Sequence, residues 1–476
     1  MDESPFPFAE KGEWVGHWWL PENPDNRVAG TLIYDGEGAL NLKLDNHFDG
    51  YNPGEVGEVH EDEHGNISRT VRSKDLLISY DVIYGVADGA DITIMDAVDK
   101  SPVMPWGRIG ENYISNCRIS AEKLILGKHL ETKDSKVFGG LRVSVDNLGF
   151  WYLSAEEKKE IDFEGRYIEL CNVNEIEASD GDDLFCRILV NDGVSLEEGL
   201  EEAHVIQNFI SFVTNQPSGI VWLQLEDAED VSNSDNKCVS IICSRMKIGK
   251  GYRWVGSNSD ARLVSEAFPF AESLAEWFKL VADARAAVNM VMAIQLEDMP
   301  FIENDLLAVT GAAEVLHRNL NIRSHMYDAA EFKKMKKEIM NVVPAWYKET
   351  AMSNLRNDPS LRIRLIDLAD SVDKDSILYL VPDVEYWAKK TVKARNDLTH
   401  KGVAPKQSAD ELLAIVDATK AIIRLAIMDR LGVSKEYQNE IVKNYRQYIT
   451  AARRAGEWLT PPPEEVTEET QNNTNA

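Results

Sequence analysis

Apolar and polar positions change rhythm once along this chain. From Trp14 to about Trp254 they alternate over short runs broken by turn residues, the period-two pattern of strands. The clearest case lies between Arg27 and Leu44, where VAGTLIY, a DGEG turn and ALNLKL predict a β-hairpin. Further strands are predicted at 76–86, 141–145, 149–153, 167–173, 184–190 and 239–246. One helix interrupts them from Glu197 to Val213, where Leu200, Val205, Phe209 and Phe212 recur at helical spacing.

Near Asp260 the period lengthens to that of helices, predicted at 261–296, 302–320, 328–342, 344–356, 360–371, 383–400, 409–431 and 434–455. Ser408 with Glu411 reads as a capping box and Gly432 as the stop of the same helix. Pro382 fits the first turn of the 383–400 helix, and Gly402 follows its end. The expected fold class is therefore α+β multidomain. A β-rich N-terminal part (one domain or two small ones) spans 1–255, a connecting helix lies in 256–300, and an all-α bundle fills 301–456. The acidic, proline-bearing tail at 457–476 is expected to be disordered, having almost nothing apolar to bury.

The 476 residues carry a formal charge of −29, which at first argues against nucleic acid as a partner. Divided along the chain, the charge is −28 over residues 1–300, +4 over 301–455 and −5 over 456–476, so a basic surface beyond residue 300 stays open. The five cysteines, Cys117, Cys171, Cys186, Cys238 and Cys243, are scattered with no CxxC pair. They read as reduced thiols of a cytoplasmic protein, not as a disulfide framework or zinc site. The acidic start has no apolar signal region, and no apolar run is long enough to span a membrane.

Several motifs fail on their context. His60-Glu61-Asp62-Glu63-His64 matches HExxH, but that zinc chemistry needs a helix and the neighbouring glycines predict a charged turn. Asp45 to Gly50 hints at a calcium loop, yet Val56 stands where the closing glutamate belongs. No P-loop, no GxGxxG opening a helix and no GxSxG elbow occurs. Lys247, Lys250, Tyr252, Arg253 and Trp254 mix basic and aromatic residues as a single-strand platform would, but read more simply as a strand end with solvated charges.

One motif survives: Arg395-Asn396-Asp397-Leu398-Thr399-His400, at the end of the 383–400 helix. An imidazole can move a proton to or from the 2′-hydroxyl or the leaving oxygen of RNA near neutral pH. A guanidinium can hold the phosphate with a bidentate fork, so such a site needs no metal and no cofactor. Spacing alone is weak evidence: with 23 Arg and 9 His, about one Arg followed by a His after four to six residues is expected by chance, and a second case, Arg318 with His325, runs off a helix end into a loop. Context favours the first pair. Asn396 and His400 share a helix face, His400 occupies the last turn, where helices favour cations, and Lys389, Lys390, Lys393 and Lys401 make the stretch basic. Arg395 lies about 140° round the helix from His400, so two copies facing each other would build the site more easily than one.

At these residues the chain resembles the HEPN ribonucleases, whose R-N-x-x-x-H motif also stands on a late helix of an α-bundle. The layout is similar to that of ApeA-like anti-phage defence proteins, through the opening EWVGHWWLPENPDNRVAGTLIYDGEGALNLKL and the segment LLAVTGAAEVLHRNL at 306–320. The resemblance implies a dimeric endoribonuclease with Arg395 and His400 catalytic and Asn396 in support. It also implies abortive infection, in which RNA of the host (tRNA or mRNA) is cut once a phage trigger is sensed. Lys393 and Lys401 are then candidate substrate contacts, and Glu314 a candidate for orienting the site, against the plainer reading of a solvated or buried glutamate. The alternative is a non-catalytic protein whose bundle dimerises while the β domain binds a protein or glycan through Trp14, Trp18 and Trp19, although these are more ordinary as core residues of a small β domain.

Overall fold

The computed structural model describes residues 5–48, 55–61, 67–72, 78–100, 117–151, 160–172, 184–228, 238–251, 263, 268–296, 301–402 and 407–462. The chain divides into two compact units, Met1–Ile210 with Ser218–Trp254, and Ser211–Pro217 with Val255–Ala476.

The strands of the first unit are β1 (Gly12–Trp19), β2 (Val28–Tyr34), β3 (Leu40–Leu44), β4 (Glu55–Glu61), β5 (Ile67–Arg72), β6 (Ser79–Ala87), β7 (Ala90–Asp99) and β8 (Cys117–Ala121). They continue with β9 (Lys123–Leu126), β10 (Phe138–Val145), β11 (Glu160–Phe163), β12 (Arg166–Asn172), β13 (Leu184–Val194), β14 (Ile220–Asp227) and β15 (Cys238–Cys243). β4 and β5 pair with each other; the other thirteen form one antiparallel sheet ordered β11-β12-β13-β10-β14-β15-β9-β7-β6-β1-β2-β3-β8. Because β8 pairs with both β3 and β7, the last six strands close into a barrel. β9 pairs with the other end of β7 and leads into the open sheet.

The predicted hairpin is β2–β3. Val28, Leu32, Tyr34, Leu40, Leu42 and Leu44 are its buried positions, as the alternation requires. Its turn is held by the Asp35 carboxylate, which accepts from the backbone of Glu37 (2.8 Å) and Ala39 (2.9 Å), while Gly36 and Gly38 take the positive φ the turn demands. Trp14, Trp18 and Trp19 are all buried, so these rings belong to the core. Trp18 donates from Nε1 to Gly30 O at 3.1 Å and lies over Gly85, where an added Cβ would meet its ring at 2.3 Å. In the open sheet, buried Glu226 accepts from Arg142 (2.8 Å) and from both ends of the Arg187 fork (2.6 and 2.7 Å).

Helix α1 (Leu196–Thr214) matches its prediction and opens with a reciprocal capping box: Ser195 N donates to Glu198 Oε2 and Glu198 N to Ser195 Oγ. The predicted strand at 149–153 is corrected: Leu148–Trp151 form a 3₁₀ turn, and 152–153 lie outside the described residues. Asn147, at φ 67°, turns the chain out of β10, so Leu148–Trp151 do not continue the ladder.

The second unit is helical: α2 (Phe270–Leu296), α3 (Ile302–Asn319), α4 (Ala329–Val342), α5 (Lys348–Asn354), α6 (Leu361–Asp370), α7 (Lys374–Leu380), α8 (Val384–Lys401), α9 (Ala409–Arg430), α10 (Lys435–Asn444) and α11 (Arg446–Trp458). α2 begins at Phe270, after Pro269, as a residue preceding proline is disfavoured in helix, and it departs from helical geometry at Ala284; of the earlier part of the predicted helix, 261–262 and 264–267 lie outside the described residues. The single helix expected at 434–455 is two, broken where Tyr445 is extended. α7 was unpredicted. Pro382 stands one residue before the Asp383 cap of α8 rather than in its first turn. α11 carries the chain through Trp458, and Leu459 is fully buried, so the described start of the tail is ordered; residues 463–476 lie outside the described ones. Among the described residues no helix is long and apolar enough to cross a membrane.

Candidate active site

The motif sits on α8, whose two faces differ sharply. Trp387, Ala388, Thr391, Ala394 and Leu398 form its buried stripe, recurring every three or four residues. Asp383 caps the start by accepting from Tyr386 N at 2.8 Å. Gly402 ends the helix at φ 70°, its N–H bonded to Leu398 O at 2.9 Å. His400 is thereby fixed in the last turn. Lys390 bonds to Glu411 at 2.7 Å, tying α8 to the start of α9. Ser408 caps α9 as expected, while the glutamate of the predicted box serves this ion pair.

On the opposite face Lys389, Lys393, Asn396 and His400 are all exposed, one above the other at helical spacing. Arg395 is half-buried on the flank of this stripe; its Nη1 donates to Asn396 Oδ1 at 3.3 Å, and its carbonyl accepts from Thr399 Oγ1 at 2.7 Å. Asn396 thus orients the guanidinium. Asp397 pairs with Lys401 one turn on, so that lysine is engaged within its own helix. No hydrogen bond or ion pair joins Arg395 to His400 within the described residues. Glu314 lies on α3, where it pairs with Arg318 at 3.4 Å. His325, the partner in the chance spacing, is exposed, as is Arg318.

His60 and Glu61 of the HExxH match belong to strand β4, and the rest of the motif lies outside the described residues. The platform residues Tyr252, Arg253 and Trp254 also lie outside them. Among the described residues, donor atoms with spacing that could suit a metal ion are those of His47, Asp99 and Cys117 in the barrel, where the Cys117 thiol bonds to Asp99 at 3.6 Å. They belong to the other unit from Arg395 and His400.

Two features were missed from the sequence. The first is a buried polar network: His317 Nε2 lies 3.1 Å from Asp367 Oδ2, Arg364 Nη1 lies 3.2 Å from His317 Nδ1, and Arg323 donates to Asp367 Oδ1 at 2.7 Å. Arg364 can only donate, so Nδ1 accepts, and the neutral ring carries its proton on Nε2 toward Asp367. Its hint in the sequence was a histidine on the apolar face of α3, beside Leu316 and Ala313. The second is an arm. α4 buries none of its residues, and the chain on either side is clasped by Met326 N to Asn357 O (2.9 Å) and Asn357 Nδ2 to Tyr327 O (2.8 Å). The arm lines one groove with Lys333, Lys337, Lys348 and Lys336, the last donating to the Met352 and Leu355 carbonyls at 3.2 Å, and leaves Trp346 83% and Val342 82% exposed. Large apolar side chains so exposed mark a contact surface.

A family model described as ApeA N-terminal domain 1 matches residues 13–254, and one described as Apea-like HEPN matches residues 307–437. The first spans half of the chain, and the chain belongs to the ApeA-like HEPN proteins, a family of anti-phage defence. Arg395, Asn396 and His400 fall within the HEPN match, and HEPN domains are generally ribonucleases. No curated protein and no solved structure matches the chain.

Proposed function

We propose that this chain is a metal-independent endoribonuclease of abortive infection, acting as a homodimer once its N-terminal region senses a phage. The observation that carries the reading is the exposed stripe Lys389, Lys393, Asn396 and His400 with Arg395 oriented at its flank, inside the HEPN match. His400 takes the proton of the attacking 2′-hydroxyl and gives it to the leaving 5′-oxygen. The 2′-oxygen attacks phosphorus, the P–O5′ bond breaks, and the products are a 2′,3′-cyclic phosphate and a 5′-hydroxyl. Arg395 binds the phosphate and the charge that grows on it. Facing copies of α8 bring one protomer's arginine to its partner's histidine, a geometry one helix does not supply.

The test is incubation of the purified full chain with total RNA in EDTA, followed by end-group analysis. Cleavage is expected, with new ends that accept phosphate from a kinase directly, as 5′-hydroxyls do. Intact RNA, or cleavage that vanishes with EDTA and returns with magnesium, would reject the mechanism.

The arm is the RNA-holding surface under this reading, its lysines meeting phosphates and Trp346 stacking on a base. Each stacked base contributes about 1–3 kcal/mol. Trp346→Ala combined with Lys333→Glu and Lys337→Glu, both at exposed positions, should therefore weaken binding of a labelled single-stranded RNA by roughly tenfold or more. Fluorescence anisotropy on a His400→Ala background checks it. If RNA affinity holds while the oligomeric state in light scattering changes, the exposed apolar tip is a protein contact, which favours the non-catalytic alternative.

A further inference from the structure

The helical unit holds a cavity of about 580 Å³ lined by α2, α3, α9 and the first turns of α11, none of it shared with Arg395 or His400. Its lining is divided. Val291, Ile294, Val309, Ala421 and Ile423 are apolar, whereas Lys420, Arg424, Arg446 and Arg454 bring four cations. Asp417 is the one acid among the lining residues and pairs with Arg454, while Lys420 pairs with Asp305 at 3.4 Å, so among the described residues Arg424 and Arg446 are the lining cations without an acidic partner.

Arg424 is the unusual member. It is 7% exposed, and no carboxylate among the described residues lies within ion-pair distance of it. Its fork is held instead by neutral groups: Nη1 donates to Gln295 Oε1 at 3.3 Å, Nη2 donates to the Phe212 carbonyl, and the guanidinium lies 4.4 Å over the Phe212 ring. Nε makes no hydrogen bond. A buried cation without a counter-charge is expensive, because water has been removed and nothing ionic replaces it. Burial pushes the Arg424 pKa down, yet a guanidinium stays charged near neutral pH.

Other unfilled donors converge on the same space. Tyr448 is almost wholly buried and its hydroxyl makes no hydrogen bond, although Arg424 and Gln447 stand near enough to influence its titration. Tyr448 also lies in the first turn of α11, a helix that starts at Arg446 with no side-chain cap. An uncapped helix start favours an anion.

We propose that this cavity binds a small organic phosphate of mononucleotide size. Its phosphate occupies Arg424, Arg446 and the first turn of α11, and its ring body rests on Val291, Ile294, Val309, Ala421 and Ile423. The cavity lies within the size range of small-molecule sites, and its apolar half leaves room that inorganic phosphate would not fill. The two uncompensated cations, Arg424 and Arg446, suit phosphate's double charge better than a carboxylate's single one. This assignment goes beyond the nuclease reading, and binding is measured without cleavage.

The experiment is isothermal titration of the full chain with AMP, GMP, CMP and UMP, with adenosine and inorganic phosphate as separate probes. At least one monophosphate should bind with Kd below about 1 mM, and adenosine and phosphate should each bind at least tenfold more weakly. Arg424→Gln removes the buried charge; Arg446→Ala, at an exposed position, keeps the test valid if the first variant does not fold. Either variant, when folded, should weaken the monophosphate by roughly tenfold and leave adenosine unchanged. If no monophosphate binds, or if Arg446→Ala and a folded Arg424→Gln bind it as the wild type does, the assignment is overturned.

Discussion

Arg395→Ala and His400→Ala should each lower the rate of RNA cleavage by at least about 10²–10³-fold while leaving the unfolding transition of the chain in place. The two halves of that expectation rest on different facts. Loss of rate follows from the chemistry: a positioned proton-transfer group contributes roughly 10²–10⁴-fold, and an electrostatic donor to the growing charge a similar factor. Retention of fold follows from the packing. The stripe that seats α8 is Trp387, Ala388, Thr391, Ala394 and Leu398, and neither motif residue belongs to it. His400 is exposed, and the side chain of Arg395 bonds only to its neighbour Asn396 among the described residues. Arg395→Lys keeps the charge but loses the fork and should be intermediate. Asn396→Ala should cost less than either, because it removes only the bond that orients Arg395.

Mixing the two inactive variants adds a test of geometry. In a two-fold dimer whose site takes arginine from one protomer and histidine from the other, a mixed dimer carries one dead site and one intact site. Random exchange makes half of the dimers mixed, so about a quarter of wild-type activity should return. If each site is built within one protomer, no mixture recovers activity. Unchanged cleavage in one single variant would remove that residue from the mechanism, and unchanged cleavage in both would remove the motif altogether.

The motif was legible because it is local: three residues, one helix, and a glycine that ends it. The hairpin β2–β3 was legible for the same reason, since both arms and the turn lie within one short stretch. What escaped was set by distant partners. β14, Ile220–Asp227, is buried along most of its length, so it lacks the alternation that marks a strand with one wet face. The seven residues of α7 are too few to establish a period, and their start is fixed by Asp373 accepting from Ser376 N. Closure of the barrel depends on β8 meeting both β3 and β7, a fact of register that no single segment carries. Net charge misled until it was divided, because an acidic first unit masks the five lysines of the arm, Lys333, Lys334, Lys336, Lys337 and Lys348. The cavity around Arg424 was invisible, as its lining comes from segments as far apart as Asn215 and Arg454.

Asp367→Ala should cost the helical unit about 3 kcal/mol or more, the largest stability effect expected of any single polar substitution here. Asp367 is 6% exposed and accepts from His317 on one oxygen and from Arg323 on the other. Truncating it strands the Nε2–H of a wholly buried histidine and leaves Arg364, also buried, facing a ring with no anion behind it. Arg323 is half-exposed and can turn to water, which holds the estimate to the lower end of the range for broken buried pairs. Asp367→Asn keeps one acceptor and should lie between the two. The pH dependence separates this network from ordinary packing. Burial lowers the His317 pKa, with Arg364 and Arg323 lowering it further and Asp367 opposing them. In the unfolded chain the histidine titrates at its ordinary value of 6.5, so below that pH the unfolded state binds the proton first. Stability from this site is therefore complete above about pH 6.5 and declines as pH falls through that value toward the depressed folded one. Removing Asp367 deletes the one group that favours the protonated ring, so the decline in Asp367→Ala should continue to lower pH. Denaturant unfolding of the helical transition from pH 8 to pH 5.5 measures both effects, and His317→Gln, which cannot titrate, should flatten the slope. A slope identical in wild type and His317→Gln would show that another group governs the acid limb.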